Sequence, residues 1–196
     1  MLRNVSKIAI SFAMAVVFAS SVAFAHQHET AMKGLANGKV LAWVNDPAVI
    51  KAIKSQNAKH ASLSQADIDR LDKTWRAETK ASAKPMIDAV MGNPLSIFLK
   101  KIGADSQGLF TEIFVMDNKG LNVGQSEVTS DYWQGDEAKW KKTYKVGPDA
   151  VHIGKIKEDE STQMFQSQLS LSITDPATKK VIGAVTIGVN VAQMLN

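Results

Sequence analysis

The chain of 196 residues contains no cysteine. Disulfide staples, thiolate nucleophiles and cysteine-bound metals are therefore excluded, and packing alone must hold the fold. Histidine is scarce: of four, His60 and His152 stand isolated, without the His/Glu/Asp spacing of a zinc site. No G-x-S-x-G elbow, phosphate-binding glycine loop or H-E-x-x-H helix occurs. The acidic groups Asp136/Glu137 and Glu158/Asp159/Glu160 are consecutive, so they do not converge as an acid–base pair does. No basic run is interleaved with aromatics, which argues against a nucleic-acid surface. These absences read together as no enzyme and no cofactor.

What is present begins with a leader. Arg3 and Lys7 precede an uncharged apolar run over residues 8–25, which closes on Ala23-Phe24-Ala25. Positive start, apolar middle and small-residue exit make a secretory signal peptide, cleaved after Ala25. The competing reading, an uncleaved anchor, needs a run at the lower edge of what spans a bilayer. Cleavage leaves 171 residues, one domain's worth, and lowers the formal net charge from +4 to +2. No second apolar run follows that is long enough to span a membrane, so the expected mature protein is soluble and periplasmic.

The mature chain divides into a helical half and a strand half. A short helix is expected around residues 30–41. Asp46-Pro47 then starts a helix, with Asp as cap and Pro in the first turn, followed by Val49, Ile50 and Ile53. Ser64-Gln65-Ala66-Asp67 reads as a capping box, and Leu71 and Trp75 share the face of the helix it opens. Pro85 opens a short helix. Asn93-Pro94 opens another, with Leu95, Phe98, Leu99 and Ile102 as its buried stripe and Gly103 as its end. After Gly108 the period drops from about 3.6 to 2. Residues 111–116 and 121–125 form a hairpin about Asp117-Asn118-Lys119-Gly120, whose Asn and Gly tolerate positive φ. Residues 127–150 interrupt the strands, with a short helix expected to carry Trp140 and Tyr144. Strands resume over 151–157, 164–174 and 181–191. In the second of these Phe165, Leu169, Leu171 and Ile173 occupy one face and Met164, Gln166, Gln168, Ser170 and Ser172 the other. This order is α+β with one antiparallel sheet of about five strands.

The pattern resembles the Cache domains, PAS-like extracellular sensing modules. The resemblance rests on Asn45-Asp46-Pro47-Ala48-Val49 through Leu71-Asp72-Lys73-Thr74-Trp75-Arg76 and on the hairpin Glu112–Gly120. It continues through Thr129-Ser130-Asp131-Tyr132-Trp133-Gln134-Gly135-Asp136-Glu137 to the closing strand Lys180–Val189. It covers residues 45–192 and depends on the order and spacing of motifs rather than on any one of them. It implies a PAS-like/Cache fold over residues 45–196, after a helical lead-in at 26–44. A long N-terminal helix lies on one face of the sheet, and a small-ligand pocket on the other is roofed by the 127–150 insert. Family ligands include amino acids and carboxylates, and such domains normally feed a membrane-spanning signalling chain.

Within that frame the candidate ligand contacts are Phe114, Asp131, Tyr132, Trp133, Gln166 and Gln168. Asp131 to Gln134 gathers a carboxylate, a phenol, an indole and an amide on one loop, as a small polar ligand requires. The competing reading makes Tyr132 and Trp133 plugs for the open end of the sheet. Gln166 and Gln168 are costly to bury unpaired, so they bond a ligand or water if covered and are ordinary solvated residues if exposed. Phe114 would share the pocket face of the first strand. Asp117 is read as a turn residue, and Trp140 as packing. His26 and His28, at a new amino terminus, could chelate Cu(II) or Ni(II) through the amine, two amides and an imidazole; a frayed terminus is the competing account. The expected function is a periplasmic sensor-like domain binding a small polar metabolite. The alternative is an interaction module docking on a membrane-bound sensor or transporter without a small ligand.

Overall fold

The computed structural model describes residues 26–158 and 165–196. The expected leader, Met164 and the acidic pair Asp159/Glu160 lie outside the described residues. The helical half opens with α1, residues 26–44, longer than the 30–41 expected and containing a π-helical turn at Ala36–Val40. Next come α2 (Pro47–Lys59), α3 (Gln65–Glu78), α4 (Pro85–Met91) and α5 (Pro94–Asp105). The helix starts are those the sequence dictates. Asp46 accepts from the Ala48 amide, Ser64 and Asp67 close a reciprocal capping box, and Asn93 accepts from the Ser96 amide. Gly103 does not end α5; the helix runs on to Asp105, because an exposed glycine costs only about 1 kcal/mol and one face remains apolar.

The strands are β1 (Phe110–Met116), β2 (Asn122–Gln125), β3 (Val151–Ile153), β4 (Lys157–Glu158), β5 (Phe165–Thr174) and β6 (Val181–Asn190). They form one antiparallel sheet of six strands in the order β2-β1-β6-β5-β3, with β4 also on β5. The sixth strand arises because the expected 151–157 strand is broken at 154–156 into β3 and β4. The insert carries a single helical turn, α6 (Ala138–Lys141). The chain closes on α7 (Val191–Leu195).

The sheet has two unlike faces. On one, Ile113, Val115, Leu169, Leu171, Ile173, Val185, Ile187 and Val189 are buried in a single core. Met32, Ala36, Val40 and Trp43 of α1, Val49, Ile50 and Ile53 of α2, and Leu95 and Leu99 of α5 complete it. The layers are those expected from the sequence, with N-terminal helices on one face of the sheet and the insert across the other. A second cluster joins α3 and α4 to the hairpin through Ile68, Trp75, Ile87, Leu121 and Tyr132.

The hairpin is fixed by its first turn residue. Asp117 is fully buried. Its Oδ1 accepts from the Lys119 and Leu121 amides at 2.8 and 2.9 Å. Its Oδ2 accepts from Gln56 Nε2 and His60 Nδ1 of the α2 end, each at 3.0 Å. Four donors fill the lone-pair positions of a carboxylate, so nothing is left to bind a ligand. His60, isolated in sequence, is thus a structural partner. Gly120 follows at φ 83, where a Cβ would run into the Gly135 backbone of the insert.

Asp117→Asn should cost about 3 kcal/mol or more, because an amide turns a donor toward groups that already donate and strands them in a buried site. Urea unfolding with an unchanged m-value measures this; a shift below 1 kcal/mol would show the hairpin does not depend on the carboxylate.

Candidate functional site

The sheet face opposite the helical core is built by alternation. Strand pairing sets Phe114, Thr186, Ser170 and His152 in one row. The next row is Glu112, Gly188 and Gln168. The upper part is closed. Phe114, Met116 and Ala184 pack with Trp140 of the insert, and Tyr144 stacks on Trp140 with ring centroids 4.8 Å apart. Lys139 places Nζ 5.1 Å above the Phe114 ring while donating to Gln134 and pairing with Glu137. Thr186 and Ser170, both fully buried, share a hydroxyl bond of 3.0 Å.

The lower part is polar and half-buried. A bulge between Phe110 and Glu112 makes Thr111 the extra residue of β1. That brings its hydroxyl onto the same face as Glu112. Thr111 Oγ1 donates to Gln166 Oε1 at 2.8 Å, and Gln168 Nε2 donates to Glu112 Oε1 at 3.0 Å. All four surround Gly188: a Cβ there would strike Thr111, Glu112 and Gln166. None of the ion pairs among the described residues includes Glu112. Burial, and then Lys142, lower the His152 pKa, so this half-buried imidazole on the row above is neutral at pH 7.

The structure therefore brings Phe114, Gln166 and Gln168 onto one face and adds Glu112, which the sequence reading missed. The signal was available: Glu112, Phe114 and Met116 are alternate residues of one strand and must share a face. It sets Asp131, Tyr132 and Trp133 elsewhere. Residues 132–134 pair alongside the hairpin, with Tyr132 O accepting from the Asn122 amide and the Gln134 amide donating to Gly120 O. Tyr132, 5% exposed, stacks on Trp75 of α3 with centroids 5.3 Å apart. Trp133 donates its indole N–H to Lys119 O, and Trp75 to Thr129 O. Asp131 is tied to Arg76 at 3.1 Å and accepts from Gln134. Asp72 of α3 completes this latch: Oδ1 accepts from the Tyr132 and Trp133 amides and Oδ2 from Arg76. The expected six-residue constellation is thus two separate ones, a latch against α3 and a polar patch on the sheet.

His26 and His28 lie in the first helical turn of α1. His28 is buried, and its pKa is lowered chiefly by that burial. Among the described residues no cluster of three His, Asp or Glu could hold a metal ion, and no helix is long and apolar enough to cross a membrane.

None of the protein-family models and none of the curated proteins matches this sequence. Solved structures do resemble it in fold. The sensory domain of the Campylobacter jejuni chemoreceptor Tlp3 aligns with TM-score 0.42 and 9% identity over 92% of this chain and 64% of that one. The same domain with isoleucine bound aligns at 0.39 and 9%, over 93% and 65%. The V. cholerae histidine kinase DctB sensor domain aligns at 0.37 and 12%, over 76% and 60%. The chain spans under two thirds of the length of these structures.

Two outcomes test the latch. Asp72→Ala should speed amide exchange at Tyr132 and Trp133 by about tenfold, the equivalent of one lost hydrogen bond, while amides of β5 and β6 exchange at unchanged rates. Burial, and then the Asp117 charge, push the Tyr132 phenol pKa well above its ordinary value of 10.0. The folded state therefore keeps a proton that the unfolded chain releases. Stability from this group is complete below pH 10 and falls as pH rises further. Tyr132→Phe should gain on the wild type in urea-unfolding free energy between about pH 8 and pH 11; a constant difference would contradict the burial of the phenol.

Proposed function

We propose that this chain is an exported, sensor-like domain that binds a small polar metabolite between the sheet and the 127–150 insert. The observation that carries this reading is Glu112. Its carboxylate is half-buried beside the closely surrounded Gly188, partnered by a neutral amide and by no cation among the described residues. A desolvated anion without a counter-ion is costly unless something supplies the charge. A ligand ammonium, with the rest of the molecule against Gln166, Gln168 and the rim of the aromatic group, supplies it. An amino acid fits this chemistry, because its amine meets Glu112 while its carboxylate extends toward Lys139 and the insert.

The reading is of binding rather than catalysis. The fixed groups around Gly188 orient a ligand, and none of them forms a nucleophile–base pair. Export to the periplasm rests on the leader at residues 1–25, which gives the patch access to external metabolites. Any onward signal would pass to a partner such as a membrane-bound sensor or transporter.

Thermal-shift and tryptophan-fluorescence screening of amino acids, amines, carboxylates and purines should give saturable shifts with amine-bearing compounds. Glu112→Gln should weaken that binding by about tenfold or more while the unfolding temperature of the free protein holds or rises, because the variant removes an anion that lacks a counter-ion. Amine binding that Glu112→Gln leaves unchanged, or no shift with any compound, would overturn the reading.

A further inference from the structure

A groove of about 480 Å³ runs along α2, with the start of α5 and the edge strand β2 as its other wall. Its lining is apolar: Ala48 and Ala52 of α2 meet Pro94 and Leu95 of α5 and Val123 of β2 across it. The walls are fixed to one another. Asn93, at the head of α5, donates from Nδ2 to Val123 O at 2.8 Å, and Gln56 of α2 donates from Nε2 to Asn122 O at 3.2 Å. Leu95 lies against Gly124, where a Cβ would strike its side chain. The groove is therefore formed in advance of any occupant, as ligand sites usually are.

The charge on this groove has one sign. Lys51, Ser55 and Lys59 recur at four-residue spacing along its α2 wall, and all three are exposed. From Pro47 to Lys59 the helix carries no acidic residue. Lys54, on the flank toward the β5–β6 turn, is paired with Asp175. Lys51 and Lys59 are in no ion pair among the described residues. Eight residues separate these two, about 12 Å along the helix.

We infer that this groove binds an amphipathic organic anion, a single-chain carboxylate of roughly eight to ten carbons, the length that spans the two lysines. One ammonium holds the carboxylate, and the chain lies over Ala52, Leu95 and Val123. An apolar trough with a few placed polar groups suits such a molecule, and the unpaired cations choose its sign. Glu112 takes no part, because α2 packs on the core face of the sheet and the Gly188 rim lies on the other.

Backbone amide shifts of the isotope-labelled chain, titrated with octanoate and decanoate below their micelle-forming concentrations, test the assignment. The amides of Ala52, Ser55, Leu95 and Val123 should shift saturably. Decanoate should bind about tenfold tighter than octanoate, since two more methylenes leave water. Acetate has the charge without the chain, and octylammonium has the chain with the opposite charge; both should leave those amides unmoved at the same concentrations. Lys51→Glu and Lys59→Glu, at exposed positions, should each weaken octanoate binding several-fold. The double variant K51E/K59E should weaken it by about tenfold or more, with a melting temperature close to that of the wild type. Glu112→Gln should leave the titration as it is, so failure at this groove is read apart from failure at the rim. No saturable shift, shifts centred outside the groove, an equal response to octylammonium, or octanoate binding indifferent to K51E/K59E overturns the inference. So does a titration altered by Glu112→Gln, which would put the anion at the Gly188 rim.

Discussion

The buried carboxylate of Asp117 is the constraint on which the rest of the site depends. A charge in a protein interior survives only when its hydrogen-bonding capacity is filled. Here it is filled from two directions, by the hairpin's own amides and by Gln56 and His60 of α2. That welds the hairpin to the helical layer. The consequence runs outward in sequence. A fixed turn fixes Gly120 and Asn122, which pair with residues 132–134 and so place the start of the insert. The Asp117 carbonyl accepts the indole N–H of Trp140 at 3.1 Å, which places its middle. Tyr132 and Tyr144, in different aromatic groups, both have raised phenol pKa values because of burial first and the Asp117 charge second.

The second organising fact is the gradient along the face under the insert. Toward Met116 and Ala184 it is apolar, closed and stacked with Trp140; toward Gly188 it is polar, with Glu112, Gln166 and Gln168 half-buried. Opening the closed end means separating a stacked Trp–Tyr pair and lifting Lys139 from Phe114, each contact worth about 0.5–1.5 kcal/mol. Occupying the polar end displaces the Gln168–Glu112 and Gln166–Thr111 bonds, which a polar ligand can replace. The same face therefore offers a rigid roof and an adaptable rim, and a small charged molecule meets the rim first.

What was legible in the sequence is what local physics decides. The caps at Asp46, Ser64 and Asn93, the change of period after Gly108, the hairpin turn at Asp117-Gly120 and the alternation in β5 all appear where their residues require them. What was not legible is what non-local pairing decides. Asp131, Tyr132 and Trp133 look like a pocket wall because they are aromatic and polar together. Their pairing alongside residues 120–122 turns them instead toward α3, where Trp75 and Asp72 wait. No periodicity within 127–150 reveals that. Glu112 failed to register for the opposite reason: it looks ordinary in a strand, and only the absence of a neighbouring cation makes it unusual.

The two ends of the insert are held by different physics, and this bears on how a bound molecule could be felt elsewhere. Its start is held by the Asp72–Arg76–Asp131 network, with Asp72 also accepting two backbone amides. Its end is β3, three residues on the sheet margin paired only with β5 among the described residues. An element with one tight and one loose end moves at the loose end. Motion at that end reaches back into residues 138–150, the stretch that holds Trp140 and Tyr144 over the sheet.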